Sequence, residues 1–193
     1  MSAFALTGSI QMKNIESFEL QPHLVGDLLE LRPLRPEDWE SLFAVASDPL
    51  IWEQHPAHDR YQEEVFREFF HEALATGGAF VVIDRKTQKI VGSSRYFGFD
   101  SSKREIEIGW TFLARSHWGG KYNAELKQLM LDHAFKFVES VVFLIGATNV
   151  RSQKAIEKIG GVMTERREQT NADGETVQNV VYQIKKPGTP ASP

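Results

Sequence analysis

Hydrophobic residues recur along the chain with two periods, and each change of period marks the boundary of an element. A period of two across residues 29–33, which follows a Gly26-Asp27 turn, predicts a hairpin strand. A helix is predicted to start at Pro36, because proline suits the first helical turn, and a second is predicted over 61–76 with a glycine stop at Gly77-Gly78. The apolar face of the first helix consists of Trp39, Leu42, Phe43 and Ala46, and that of the second of Val65, Phe66, Phe69, Phe70 and Leu74.

After the second predicted helix, the pattern predicts three strands, and helices and strands then alternate. A strand pair is predicted within 79–99, joined through Asp84–Lys89, and a third strand over 104–113 is expected to place Ile106, Ile108 and Trp110 on one face. A helix is predicted after the Gly119-Gly120 turn, up to about Val138. The remaining predicted elements are a strand at Val141–Ala147, a helix at Val150–Lys158 and two strands, Val162–Gln169 and Thr176–Lys185, joined by a turn at 171–174.

This order of elements predicts a single domain over residues 22–186. It has no internal repeat and no linker between two cores, so the pattern favours one mixed α/β sheet with helices on its faces. Residues 1–21 show no sustained period and are expected to form an N-terminal arm. The segment PGTPASP at 187–193 is expected to be a disordered tail.

Composition narrows the functional classes. The 193 residues include no cysteine, which excludes disulfides, a cysteine nucleophile and thiolate zinc sites, and which fits a reducing compartment. A formal net charge of −4 argues against a general nucleic-acid-binding protein. No apolar run approaches the roughly 20 residues that a bilayer requires, the N-terminus lacks the basic region of a signal peptide, and the six histidines show no metal-ligand spacing. We therefore expect a cytoplasmic protein that binds no metal, nucleic acid or membrane.

Two strand-to-helix junctions carry the candidate chemistry. At the first, Gly119 and Gly120 precede a helix whose unpaired N–H groups could hold a pyrophosphate, and Lys121 could add charge. The alternative is that the glycines only make a tight turn, since the GK[ST] and GxGxxG phosphate fingerprints are both absent. At the second junction, Asn149 and Ser152 stand three apart at a helix start, and both junctions are expected at one edge of the sheet.

These two segments, EIGWTFLARSHWGGKYNAE and NVRSQKAIEKIGG, resemble the GNAT acetyltransferases, in particular the ribosomal-protein N-terminal (RimJ/RimL-like) branch. That branch commonly shows E-I-G, then W-G-x-G-Y-A-x-E, then N-x-x-S-x-x-x-x-E-K-x-G-F. The matching positions are Glu107, Ile108, Gly109, Trp118, Gly119, Tyr122, Glu125, Asn149, Ser152, Glu157, Lys158 and Gly160. The resemblance covers roughly 26–184. It implies an α+β fold with a mixed, mostly antiparallel sheet of about seven strands, splayed at the cofactor site and flanked by about four helices.

The resemblance also implies direct acetyl transfer from acetyl-CoA to a primary amine, either a protein N-terminus or a small amine, without a metal. It assigns cofactor binding to Phe112, Leu113, Trp118, Gly119, Gly120, Lys121, Tyr122, Asn123, Asn149 and Ser152. Homodimers are frequent in this branch. The sequence departs from the family pattern at Ser116 and Lys121, and Ile156 stands where many members carry a tyrosine general acid.

For each of these candidate residues, a structural role is an alternative to the catalytic or binding role. Asn149 would hold the pantetheine or cap its own helix, and Ser152 would donate a hydrogen bond to the departing sulfur or bond its own backbone. An amine with a pKa of ~10 is protonated at pH 7, so a base is needed. Glu107 is the candidate because it occupies the E-I-G position of the resemblance, and the alternative is an exposed strand carboxylate or a salt-bridge partner. Glu105 could share its work or be solvated. Trp52 and His55, with His58, could shape an amine pocket or form an ordinary surface loop. The alternative function is a non-catalytic acyl-CoA-binding module or sensor, and a third class is an α/β module for another phosphorylated ligand.

Overall fold

The computed structural model describes residues 17–170, 174 and 176–188. Within them the chain forms eight strands and four α-helices. The elements are β1 (Leu24–Val25), β2 (Leu29–Pro33), α1 (Trp39–Ala46), α2 (Glu63–Thr76), β3 (Ala79–Asp84), β4 (Lys89–Asp100), β5 (Glu105–Leu113), α3 (Lys121–Ala134), β6 (Ser140–Gly146), α4 (Val150–Glu157), β7 (Val162–Thr170) and β8 (Thr176–Lys185).

All eight strands form one mixed sheet in the order β1-β2-β3-β4-β5-β6-β8-β7. Every neighbouring pair is antiparallel except β5 and β6, which are parallel. The predicted mixed sheet and four helices are confirmed. The number of strands is eight rather than the about seven that the resemblance implies, and a two-residue β1 pairs with β2 across the predicted Gly26-Asp27 turn.

The sheet separates two hydrophobic clusters. One contains Leu126, Met130 and Ala134 of α3 and Ile156 of α4, packed on strand residues such as Ile106. The other contains residues of α1 and α2, with the rings of Phe66, Phe69 and Phe70 at its centre. We call these the α3/α4 face and the α1/α2 face of the sheet.

The parallel pairing of β5 with β6 is short. It runs only from Glu105↔Ser140 to Glu107↔Val142, after which the two strands continue without pairing. A bulge in β5 lies just beyond this point, since Arg95 of β4 pairs with Gly109 but Ser93 pairs with Phe112. The strands therefore open into a fork at the middle of the sheet.

The bulge overturns the predicted alternation in β5. Ile106 and Ile108 lie on the α3/α4 face as expected, but Trp110 packs with the α1/α2 cluster. Trp110 has φ 51°, an uncommon value for a bulky residue, and the extra residue at this point reverses the parity of the strand. Thr111 accordingly bonds Lys127 of α3, while Phe112 packs among the α1/α2 aromatics.

Helix α3 ends at Ala134, four residues before the predicted end near Val138. The segment that follows forms a turn in which the N–H groups of Phe137 and Val138 both donate to the Ala134 carbonyl. The turn buries Val138 while it redirects the chain into β6. Periodicity missed this end because the turn residues are as apolar as the helix.

The described part of the predicted N-terminal arm packs on the domain. Phe18 is buried, with its ring 5.0 Å from the rings of both Tyr96 and Phe137. The Gln21 side chain donates to the Ala79 carbonyl at 3.1 Å. Residues 1–16, most of the predicted 171–174 turn and residues 189–193 of the predicted tail lie outside the described residues.

Candidate functional site

Two adjoining cavities lie where β5 and β6 separate. The main cavity, of about 410 Å³, is bounded by the end of β5, the loop before α3, the start of α4 and the loop after α1. The fork cavity, of about 120 Å³, lies between β5 and β6 and reaches α3. Ten of the sequence-predicted site residues line the main cavity: Trp52, His55, Phe112, Leu113, Trp118, Gly119, Gly120, Asn123, Asn149 and Ser152. Glu105, Glu107, Lys121 and Tyr122 line neither cavity.

The loop before α3 presents bare backbone to the main cavity. Gly119 has φ 74°, which favours glycine, and Gly120 is extended and forms the N-cap of α3. A Cβ at either position would meet no described atom within 4 Å. The unpaired N–H groups of the first helical turn are therefore open to an approaching anion, as an anion-binding site requires.

Neighbouring side chains fix this loop in place. The indole N–H of Trp118 donates to the Leu113 carbonyl at 2.8 Å. His117 contacts Asp84 Oδ2 through Nε2 at 3.0 Å, and its ring packs 4.5 Å from that of Tyr122. His117, which was not among the predicted site residues, thus anchors the loop to β3 and also lines the main cavity.

Helix α3 is also tied to the opposite edge of the sheet. Glu125 accepts hydrogen bonds from the backbone N–H groups of Leu28 and Leu29, at 2.8 and 3.1 Å. The N-terminal end of α3 is therefore held by the β1–β2 turn. This contact gives Glu125, one of the motif positions, a positioning role for the glycine loop.

The second junction brings a capped helix to the same cavity. Asn149 is buried and forms the N-cap of α4, and its Oδ1 accepts a hydrogen bond from the Ser152 backbone N–H at 3.1 Å. The helix-capping alternative for Asn149 is therefore observed, and it uses the Oδ1 atom of the side-chain amide. Both Asn149 and Ser152 line the main cavity and the fork cavity.

Three basic residues of this segment were missed as site residues. Arg151, Lys154 and Lys158 all line the main cavity. Their spacing of three and four residues places them on one side of the helix and its C-terminal turn, which is a signal that the sequence does contain. The Arg151 guanidinium also donates to the Ile51 carbonyl at 2.9 Å, so α4 is linked to the loop after α1.

The candidate base Glu107 is half-buried on β5, opposite Phe97 of β4. Burial raises the pKa of Glu107 to about 7, against the positive charges of Arg167 and Arg95, which lower it. Arg95 is 1% exposed and donates to Glu72 at 3.1 Å, with its guanidinium over the Trp110 ring. Glu107 is thus a carboxyl group poised to exchange a proton near neutral pH.

Glu105 has a different environment from Glu107. Its Oε2 accepts hydrogen bonds from Ser140 Oγ at 2.9 Å and from Gln183 Nε2 at 3.0 Å. These contacts join β5 to β6 and β8 below the fork. Glu105 therefore stabilises the paired end of the two strands.

The loop after α1 closes the cavity with aromatic residues. Trp52 is buried, donates its indole N–H to the Ala46 carbonyl at 2.7 Å and packs with its ring 5.0 Å from Phe112. Burial, together with the charge of Arg60, lowers the pKa of His55 to about 3, so His55 is neutral at physiological pH. His58 is exposed and lines neither cavity.

A buried lysine reaches the fork cavity from α3. Lys127 is 4% exposed, donates to Thr111 Oγ1 at 2.5 Å and lines the fork cavity. The sequence signal is a lysine in the same helical stripe as Met130, Leu131 and Ala134, all of which are buried. Lys127 was not among the site residues predicted from the sequence.

Across 17–170, 174 and 176–188, no group of three or more His, Asp and Glu side chains is placed to hold a metal ion. None of the helices in the described part of the chain is both long and apolar enough to cross a lipid bilayer.

Comparison with known proteins gives a family match. Residues 29–162 match the model of the acetyltransferase (GNAT) domain. A curated relative is the uncharacterized N-acetyltransferase p20 of Bacillus licheniformis, 27% identical over 117 residues, which are 58% of this chain and 65% of that protein. The matched region thus spans about two thirds of the length of this relative.

Solved structures share the fold. A GCN5-related N-acetyltransferase from Brucella melitensis is 20% identical with a TM-score of 0.72, over 86% of this chain and 79% of that one. Spermidine N-acetyltransferase from Vibrio cholerae, in complex with CoA and spermine, is 17% identical with a TM-score of 0.62, over 83% and 96% of the two chains.

Proposed function

This chain belongs to the GNAT acetyltransferase family, and we propose that it moves an acetyl group from acetyl-CoA directly to a primary amine. The observation that carries the proposal is the convergence of two helix N-termini, those of α3 and α4, on one cavity at the fork between β5 and β6. Members of this family use acetyl-CoA. The glycine loop, the basic side of α4 and the fork provide matching groups for its diphosphate, its other phosphate and its pantetheine arm.

The donor is proposed to lie on the α3/α4 face. The backbone N–H groups from Gly119 to Asn123 would hold the diphosphate, with Arg151, Lys154 and Lys158 supplying positive charge around it. The unpaired edge of β5 at Phe112 and Leu113 would hydrogen-bond the pantetheine arm. Asn149 would orient the arm through its amide while its Oδ1 caps α4.

The amine is proposed to approach from the α1/α2 face, where Glu107 is the base. An ammonium group with a pKa of ~10 must lose a proton before it attacks, and a base with a pKa near the working pH is best suited to accept it. The pKa of Glu107, which burial raises to about 7, meets this requirement. Trp52 and His55 would bound the acceptor pocket, since both line the cavity and His55 is uncharged.

Two acceptor classes follow from different observations. The RimJ/RimL-like motifs favour the N-terminal amine of a protein. The fold shared with a spermidine N-acetyltransferase favours a small polyamine, which the formal net charge of −4 would attract. The alternative function, a module that binds acyl-CoA without turnover, would not require a carboxyl group with a pKa of about 7.

The experiment combines binding and turnover. Acetyl-CoA is titrated calorimetrically, and thiol release is then measured with N-terminal peptides, polyamines, amino acids and aminoglycosides as acceptors. We expect binding together with amine-dependent thiol release that falls about 100-fold in Glu107→Gln. The control Glu37→Gln, at an exposed position in the turn before α1 that lines neither cavity, should behave as the wild type. Binding without amine-dependent release by any acceptor would favour the non-catalytic module, and absence of binding would reject both.

A further inference from the structure

Lys127 is the one basic side chain among the residues that line the fork cavity, apart from the neutral His55. Its stem is packed in the α3/α4 core, and its ammonium group lies 5.5 Å from the centroid of the Phe143 ring on β6. Its Nζ donates to Thr111 Oγ1 on β5. Lys127 therefore spans the fork, with contacts to both strands that separate there.

The surroundings of Lys127 supply hydrogen bonding but no opposite charge. Thr111 Oγ1 lies 2.7 Å from Ser94 Oγ, which is fully buried on β4. The side chains that line the fork cavity from β5, β6 and α4 are apolar, hydroxyl or amide groups, and the only other titratable one is His55. Burial lowers the pKa of Lys127 to about 7, so both protonation states are populated at neutral pH.

A buried cation without a carboxylate partner is costly to retain for packing alone. A leucine or methionine would fill the same stripe of α3 without that cost. The fork cavity is also where a thioester held along β5 would place its sulfur, under the proposed function. The leaving group of the reaction is a thiolate, whose negative charge is poorly stabilised in a site lined by Ile108, Phe143 and Ile156.

We propose that Lys127 is the general acid of the transfer, donating a proton from Nζ to the departing sulfur. This inference rests on the proposed function. The ammonium proton of the acceptor first passes through Glu107 to water, which leaves a neutral amine and an ionised Glu107. The amine nitrogen then forms a bond to the acyl carbon and releases its second proton to Glu107; the carbon–sulfur bond breaks, and its electron pair stays on sulfur, which takes the Lys127 proton. Neutral Lys127 and protonated Glu107 return to their starting states by exchange with water after the products leave.

Thr111 and Ser152 then have supporting parts. Thr111 Oγ1 accepts from Nζ and directs the ammonium group, and its position follows from the bulge in β5. The Ser152 hydroxyl can hydrogen-bond the sulfur but does not ionise near pH 7, so it cannot supply a proton by itself. Lys127, with a populated ammonium form, can.

The test compares Lys127→Met with Lys136→Met, an exposed lysine that follows the same helix. We expect kcat of the wild type to fall above pH 7. We expect Lys127→Met to lower kcat about 100-fold, to leave KM for acetyl-CoA within about twofold, and to remove that fall. Lys136→Met should match the wild type. Wild-type kcat in Lys127→Met, or a loss confined to KM, would overturn the inference.

A binding cycle tests the same contact without turnover. The affinities of CoA and desulfo-CoA are measured for the wild type and Lys127→Met, with melting temperatures to confirm that both are folded. We expect the preference for CoA over desulfo-CoA in the wild type to fall by at least fivefold in the variant. An unchanged preference, or a wild-type protein that gains one acetyl group on Lys127 by intact mass and loses activity with it, would overturn the assignment. Wild-type protein without amine-dependent thiol release would instead reject the proposed function, and the binding cycle would still decide whether Lys127 contacts the sulfur.

Discussion

The Arg151 guanidinium lies over the indole ring of Trp118, with its Cζ 4.0 Å from the ring centroid. The contact joins the start of α4 to the loop before α3, and both residues line the main cavity. Two helix N-termini from distant parts of the chain are thereby held at a fixed separation around one site.

Arg151→Ala should therefore weaken acetyl-CoA binding by about tenfold, since it removes both a charge and the stacking contact. Arg151→Lys keeps the charge but loses the planar stacking, and it should recover less than half of the lost binding free energy. Calorimetric titration at two salt concentrations separates the two contributions, because only the charge contribution is screened. Full recovery in Arg151→Lys would show that the stacking is unimportant.

The two glycines of the loop should respond differently to alanine. Gly120 is extended and has open space at its Cβ position, so Gly120→Ala should leave the melting temperature unchanged but lower acetyl-CoA affinity about tenfold by blocking a diphosphate. Gly119→Ala should cost about 1–2 kcal/mol of stability, because its φ is 74°. An S-acetyl pantetheine without a diphosphate serves as the control ligand. If Gly120→Ala reduced affinity for both ligands equally, the diphosphate would not lie there.

Substitutions can separate the two possible roles of Asn149, which are helix capping and donor binding. Asn149→Asp keeps an oxygen that accepts from the Ser152 N–H and should retain stability within about 0.5 kcal/mol, whereas Asn149→Ala should lose about 1 kcal/mol. If the amide N–H₂ also holds the donor, Asn149→Asp should bind acetyl-CoA about tenfold more weakly despite its intact cap. Thermal unfolding and calorimetry on the same samples decide the matter. Wild-type affinity in Asn149→Asp would leave Asn149 as a helix cap only.

The rate should depend on pH through Glu107. Its pKa is raised to about 7, so the carboxylate that acts as base forms as the pH rises through 7, and kcat should rise over that range. Combined with the loss of the Lys127 proton near the same pH, the profile should be a narrow bell. Glu107→Gln should remove the acid limb and Lys127→Met the alkaline limb. A Glu107→Gln profile with an unchanged acid limb would exclude Glu107 as the base.

The same carboxyl group should lower stability at high pH. Between the unfolded pKa of ~4.5 and the folded value of about 7, the folded state binds more protons than the unfolded state, so the free energy of unfolding falls as the pH rises. Glu107→Gln should therefore be more stable than the wild type by about 3 kcal/mol at pH 8, and by nothing measurable near pH 4. Denaturant unfolding at both values measures the difference. Equal stabilities at pH 8 would show that Glu107 is not destabilised by burial.

The strands and helices could be predicted from the sequence because the patterns that mark them involve only neighbouring residues. The period of two in β2, the glycine stop after α2 and the Asn149 cap of α4 each depend on a few adjacent residues, and all were predicted close to their observed positions. The errors arose where tertiary packing overrode a continuing local pattern. The apolar turn after Ala134 looks helical, and the bulge at Trp110 is invisible in an alternating strand.

The sequence by itself determined the order of strands and helices and the two strand-to-helix junctions, because periodicity and capping are properties of neighbouring residues. Only the tertiary structure decided which charges are buried. Lys127 and Glu107 are ordinary surface residue types in the sequence, and their pKa values move towards 7 because elements far apart in the chain exclude water from them. Likewise Arg151 meets Trp118 only because β5 and β6 separate, and that separation is a relationship between strands rather than a property of either one.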